Sequence, residues 1–322
     1  MNKVRWGVLG TAGIARSTTI PAMRQADNCV LYAIAGRSVD KARDFQTQFG
    51  FEKAFDSYDA LLADPAVEAV YVPLPNDLHR EWVIRAVRAG KHVLCEKPLA
   101  LSAAQAEEMF DEAEKNGVCL MEAYAYQHSP IVAALKRELD NGAIGEVRYM
   151  ESAFLGGMPK PADYRWRKEA GGGAVYDLGC YAVSMALRML GSEPKEVQAA
   201  ARFCDRGVDL FASMIMTWEG GATANLYCGM LKDTHRLDRF HILGTKGDLW
   251  SPVAFNQAGE IPYTVVHDGV TETKTVSCPN NYRLEVEQLG RCIREGEKPL
   301  VTREFSLMAA RTLDRVLAGL GY

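Results

Sequence analysis

Over the first 120 residues, short continuous apolar runs alternate with stretches whose apolar positions recur at helical spacing. The runs at 4–10, 29–36, 67–75, 91–96 and 118–126 are predicted strands, and 14–26, 39–49, 78–90 and 102–117 predicted helices. Ser102 is suited to cap the last of these helices, and Gly90 and Gly117 to stop the helices before them. Strands that stay apolar at successive positions are buried on both faces. Alternating with helices, they predict an α/β domain with a parallel sheet covered on both sides.

The rhythm changes after about residue 125. Helical patterns at 130–141 and 174–190 give way to strand-like segments, among them "EVQAAARF", "LFASMIMTW" and "ATANLYCGML". Glu219-Gly220-Gly221 and Asp268-Gly269 read as hairpin turns between strands. Two helices, 282–295 and 303–319, close the chain. In the second, Phe305, Met308, Leu313, Val316, Leu317 and Leu320 recur near the helical period, so it packs by one face. This predicts an α+β domain on a largely antiparallel sheet. The division expected is 1–123 and 124–322, with the C-terminal helix packing back on the first domain.

Composition narrows the field. At 322 residues the chain is long enough for two cores. Lys plus Arg is 37 and Asp plus Glu 41, a net charge of −4, which gives no electrostatic reason to bind nucleic acid. No signal peptide and no apolar run of about 18 residues is visible, so no membrane span is expected. Eight cysteines lie scattered from Cys29 to Cys292 without a C-x-x-C pair, and read as reduced thiols of a cytoplasmic protein. The six histidines are dispersed, and no metal site is expected.

"GVLGTAGIA" (7–15) lies between the first strand and the first helix. Gly10 suits a tight turn, and Gly13 and Ala15 a close helix–strand contact. The helix start offers N–H groups and a positive dipole to a pyrophosphate over Gly10, Thr11, Ala12, Gly13 and Ile14. Ala12 stands where the dinucleotide fingerprint has its second Gly. The second strand ends in Gly36-Arg37-Ser38, without the acid that bonds the ribose of NAD. A guanidinium and a hydroxyl there suit a 2′-phosphate, favouring NADP over NAD.

Ligands of a doubly wound sheet bind outside the carboxyl ends of its strands. Two segments fall there: "PLPNDLH" (73–79), with Pro73, Leu74, Asn76 and His79, and "EKP", with Glu96 and Lys97 ahead of Pro98. Pro98 limits the Lys97 backbone and can take a cis bond. Farther on, "EAGGGAVYDLGCY" (169–181) carries three glycines, which would let the backbone approach a ligand, and then Asp177 and Tyr181, four apart on one helix. A nearby ammonium lowers a phenol's pKa from about 10 towards working pH, and hydride transfer to a carbonyl needs such an acid. Tyr124, Tyr126, His128, Tyr164, Arg165, Trp166 and Arg167 are candidates to line a pocket. Aromatic faces and donor groups together suit a polyhydroxylated ring.

Taken in order, the glycine turn, "PNDLH", "EKP", "EAYAY" and "GGGAVYDLGCY" resemble the glucose–fructose oxidoreductase and inositol dehydrogenase family over essentially the whole chain. The Tyr at 181 is similar to the branch of dimeric dihydrodiol dehydrogenase and D-xylose dehydrogenase. The resemblance implies a Rossmann domain followed by an α+β domain with an open sheet. It implies Lys97 and Tyr181 as the catalytic pair, Asp177 orienting or binding substrate, and Glu96 positioning the cofactor. Tyr126, Trp166, Arg167, Asp177 and Tyr181 are the substrate contacts expected. It further implies homo-oligomers formed through the C-terminal sheet. The activity expected is NADP-dependent hydride transfer on a sugar, polyol or vicinal diol. The alternatives are a redox-assisted lyase or glycosidase with tightly held NAD, and a dinucleotide-binding sensor without chemistry.

Overall fold

The computed structural model describes residues 3–252 and 255–322. The chain forms two compact units. One contains residues up to His128 together with Asn280–Ser306, the other Ser129–Pro279 with Leu307–Tyr322. The division expected after residue 123 falls five residues later. The segment Asn280–Ser306, expected in the second domain, belongs to the first.

The first unit is built on six parallel strands: β1 (Val4–Leu9), β2 (Cys29–Ala35), β3 (Lys53–Phe55), β4 (Ala69–Val72), β5 (His92–Glu96) and β6 (Leu120–Ala123). Their order is β3-β2-β1-β4-β5-β6, the doubly wound arrangement whose direction reverses beside β1. Trp6, Val8, Ile34, Val70, Val93 and Leu94 are fully buried, which is why these strands read as unbroken apolar runs. Helices α1 (Ile20–Gln25), α2 (Val39–Phe49), α3 (Tyr58–Ala63), α4 (Asn76–Arg88) and α5 (Ala103–Lys115) connect them. Side chains cap three of these helices: Ser38 accepts from Lys41 N, Ser57 from Ala60 N and Ser102 from Gln105 N. The short β3–α3 pair was not read from the pattern, since "KAF" has one half-turn of apolar character and no alternation.

The second unit opens with α6 (Pro130–Asp140) and strand β7 (Val147–Gly157), followed by α7 (Cys180–Leu190) and strands β8 (Glu196–Phe203) to β14 (Val270–Cys278). Between these last two lie β9 (Asp209–Thr217), β10 (Thr223–Leu231), β11 (Leu237–Gly244), β12 (Gly247–Ser251) and β13 (Gly259–His267), and the order in the sheet is β14-β13-β12-β11-β7-β10-β9-β8. The β7–β10 pair is parallel and every other pair antiparallel. The central strand β7 went unread, because Glu151, Gly156 and Gly157 interrupt its apolar positions. Alternation places Met214, Met216, Leu226 and Cys228 on a covered face, packed by α7. The other face is open and carries Ile215, Leu243 and Trp250, 49%, 38% and 40% exposed. Helix α8 (Asn281–Glu295) packs against α1 and β5 of the first unit. Helix α9 (Arg303–Gly319) follows it. No helix among the described residues is long and apolar enough to cross a membrane.

Candidate active site

Gly10 leaves β1 with φ +116°, a region side chains avoid, and a Cβ there would come within 3.1 Å of Leu74. Its N–H donates to Ala35 O (2.8 Å), tying the turn to the end of β2. The helix begins at residue 13 and passes through a π-helical turn, Ala15–Thr19, into α1. Its first N–H groups have no partner within the helix. Ala15 is fully buried and makes the close helix–strand contact. Gly13 does not share that role, for a Cβ on it would meet nothing within 4 Å. Open space therefore stands over the helix start. A Cβ on Gly36 would lie 3.5 Å from the Thr11 methyl, so the turn after β2 adjoins the glycine loop. Arg37 is exposed beside it, while Ser38 is engaged as the α2 cap (3.5 Å). Free N–H donors, open space and a cation in one place fit a dinucleotide phosphate.

The turn after β5 is held from two sides. The Lys97–Pro98 peptide is cis. His79, fully buried on α4, sets Nδ1 3.0 Å from Pro98 O and Nε2 2.8 Å from Leu74 O. Burial lowers its pKa, while the two carbonyls raise it, and a ring left neutral by burial carries one N–H and donates to one of them. His79 was expected to contact the cofactor. Its two nitrogens are instead spent on the backbone, and it braces the two loops that were expected to do so. Glu122, at the end of β6, accepts from Leu99 N (2.8 Å) just beyond Pro98. Glu96 is buried and accepts from the Tyr71 hydroxyl (2.5 Å), which accepts in turn from Thr19 Oγ1 (3.0 Å). Thr19 and Tyr71 had no motif to mark them. Lys97 itself is half-buried, and Asn76 is buried at the start of α4.

In the second unit a helix begins at residue 174 and runs through another π-helical turn, Val175–Gly179, into α7. Single π turns recur at functional sites. Asp177 lies within that turn and pairs with Arg165 (2.8 Å), whose guanidinium also meets Asp163 (3.1 Å). Tyr181 is 8% exposed. Its ring meets Phe154 and Phe255 edge to face, at 5.1 and 5.2 Å, and its hydroxyl accepts from Asn256 Nδ2 (3.3 Å). Phe255 and Asn256 also line a cleft of about 370 Å³ with Arg236, Asp238, Pro252 and Gln257. These residues lie far from Tyr181 in sequence and match no motif.

Two of the three glycines make close approaches within the chain. A Cβ on Gly172 would meet Arg165 O at 2.4 Å. One on Gly173, φ +105°, would meet Asp209 Oδ1 at 2.1 Å. Asp209 is buried, accepts from Val175 N (2.8 Å) and from the Tyr322 phenol (2.5 Å), and so fixes the start of the helix that carries Asp177 and Tyr181.

The expected substrate contacts fall in both units. Tyr126 belongs to the first unit and is fully buried, its hydroxyl bonded by Gln127 (2.5 Å). Trp166 gives its indole N–H to Lys160 O (2.8 Å) and lies under Arg206, and Arg167 is exposed beside Glu169. Lys97 belongs to the first unit, and Asp177 and Tyr181 to the second. Among the described residues no cluster of three His, Cys, Asp or Glu side chains could hold a metal ion.

A doubly wound sheet with a glycine turn at its switch point, followed by an α+β unit, defines an NAD(P)-dependent oxidoreductase. The chain belongs to the GFO/IDH/MocA oxidoreductase family. Residues 4–124 match its NAD-binding Rossmann domain and 132–250 its C-terminal domain. It is 39% identical to D-xylose 1-dehydrogenase (NADP(+)) 2 of Haloferax volcanii, over 97% of this chain and 95% of that one. It is 31% identical to trans-1,2-dihydrobenzene-1,2-diol dehydrogenase of Xenopus tropicalis, over 98% of each. It superposes with a TM-score of 0.92 on a 3-ketoreductase from Actinomadura kijaniata in complex with NADP and TDP-benzene, at 34% identity over 99% and 98% of the two chains. That enzyme has also been solved with a lysine replaced by alanine or glutamate, and with a tyrosine replaced by phenylalanine.

Proposed function

We propose that the protein transfers a hydride between NADP and a hydroxyl- or carbonyl-bearing carbon of a sugar, polyol or vicinal diol, with Lys97 and Tyr181 as its acid–base pair. The observation that carries this reading is the placement of Lys97. It stands just past the carboxyl end of β5, on a turn braced by His79 and Glu122. The relatives that act on D-xylose and on a dihydrobenzenediol support the substrate class. The lysine and tyrosine altered in the ketoreductase are 84 positions apart, the separation of Lys97 and Tyr181.

The cofactor supplies the hydride donor or acceptor. The residues of the glycine loop hold its pyrophosphate, and the exposed guanidinium of Arg37 reads the 2′-phosphate, where no carboxylate at 36–39 competes. The Lys97 ammonium lowers the cost of charge on the Tyr181 oxygen, so the phenol gives a proton to a developing alkoxide and takes it back in the reverse direction. Asn256, donating to the same oxygen, favours the phenolate further. Asp177, held by Arg165, orients substrate hydroxyls. The cleft beside Phe255 and Asn256 offers an aromatic edge and donor groups for a sugar. We infer a cytoplasmic homo-oligomer: none of the eight cysteines is in a disulfide, and the open sheet face with Ile215 and Trp250 is suited to meet a second copy.

The test is absorbance at the reduced-nicotinamide band with NADP, NAD and a panel of aldoses, polyols and diols. Net NADP reduction by one of them supports the reading. Product formed without net change in cofactor contradicts it.

A further inference from the structure

We propose that Glu122 is a positioning residue for Lys97, holding the turn that carries the lysine and setting the charge its ammonium faces; this rests on the reading of Lys97 as half of the acid–base pair. In the β5–β6 register Glu122 stands opposite Cys95. Side chains alternate along a strand, so Glu122 shares a face with Cys95, and Lys97 follows two residues on, just past the end of β5. One of its oxygens accepts from Leu99 N at 2.8 Å, which anchors the chain on the far side of Pro98. The other is buried and faces the Ser306 hydroxyl, and the residue is only 3% exposed. A buried carboxyl costs desolvation that an apolar residue of similar size would not, and this one is placed where it anchors the lysine turn.

Four groups face it. Burial raises its pKa most, the Ser306 hydroxyl and the Lys97 ammonium lower it, and Glu96 raises it; the outcome is about 7. The fourth neighbour, the Cys95 thiol, stays protonated between Glu96 and Glu122, its own pKa raised by burial. Below neutrality Glu122 is uncharged and adds no negative charge beside the Lys97 ammonium. Above it the carboxylate offsets that cation, and the phenol becomes a weaker acid.

The experiment is the pH profile of single-turnover reduction, followed by loss of reduced-nicotinamide absorbance. The parent protein should lose roughly threefold or more of its rate as pH rises through about 7. Glu122→Gln keeps an acceptor for Leu99 N and should abolish that step. Ser306→Ala, a smaller change, should move the step to higher pH, and it decides the matter if Glu122→Gln does not fold. A step unchanged in a folded Glu122→Gln, or unmoved in Ser306→Ala, overturns the inference while Lys97→Ala is still inactive. Near-normal turnover in Lys97→Ala overturns the reading of Lys97 itself, and this one with it.

Discussion

His79 Nδ1 lies 3.0 Å from the carbonyl oxygen of Pro98, so a helix residue of one loop fixes the turn that carries Lys97 in the next. The opposite nitrogen of the same ring reaches Leu74 O, which packs over the Gly10 turn. One buried imidazole thus joins three loops at the mouth of the sheet. His79→Ala should leave a buried carbonyl without its donor and a gap between the loops, and lower stability by about 1–3 kcal/mol. It should also reduce turnover at saturating cofactor. Urea denaturation and steady-state kinetics check both, and a destabilised variant with unchanged turnover would make the bracing purely structural.

Tyr181→Phe should cut turnover by about 10²-fold or more, since general acid–base help is worth that much. Cofactor affinity, read by nicotinamide fluorescence, should stay within a few-fold.

Arg37→Ala should weaken NADP by about 10-fold or more, because charged hydrogen bonds contribute roughly 1.5–3 kcal/mol. NAD, lacking the phosphate, should bind nearly as before. Equal losses for the two, measured by titration calorimetry, would mean that Arg37 does not read the phosphate.

Gly173→Ala puts a Cβ 2.1 Å from Asp209 Oδ1 at φ +105°. Strain of this kind costs about 1–3 kcal/mol before the clash is counted. Thermal melting should show a large loss, and none would mean that the loop shifts freely.

Glu285 on α8 is fully buried, neither carboxyl oxygen has a hydrogen-bond partner, and burial together with Glu96 raises its pKa well above the ordinary value. The folded protein then keeps a proton that the unfolded chain releases above about pH 4.3. The resulting stability is complete below that pH and is lost as pH climbs towards the raised folded value. Glu285→Gln should therefore match the parent near pH 4. It should gain on the parent as pH rises, by at most about 1.4 kcal/mol per unit. Denaturation series at pH 4, 6 and 8 measure this; a constant difference would show that Glu285 ionises normally.

The architecture was legible where residues repeat a simple rule. Continuous apolar runs reported strands buried on both faces, and serines and glycines marked helix ends. Strand β7 was lost because a central strand with Glu151 and a Gly pair breaks that rule, its carboxylate being satisfied across the open face by Tyr227 (2.8 Å). Within the site, "EKP" and "YDLGCY" stood out because their residues are adjacent in sequence. The groups that hold them did not. Asp209 serves Gly173 and Val175 from a distant strand, Tyr71 serves Glu96 from a neighbouring one, and Asn256 serves Tyr181 from a loop. Such partnerships exist only once the chain has folded. Gly172 and Gly173 show the converse: the motif was plain, but the close packing they allow against Arg165 and Asp209 was not.

The central claim is that Lys97 and Tyr181 act on one reacting oxygen. The most direct measurement is a double-mutant cycle on single-turnover hydride transfer with Lys97→Met, Tyr181→Phe and the pair. Residues acting as one unit are strongly non-additive. Each single change should cost about 10²-fold or more, and the pair at most about tenfold beyond the worse single. Losses that multiply, or either single variant near the parent rate, would contradict it.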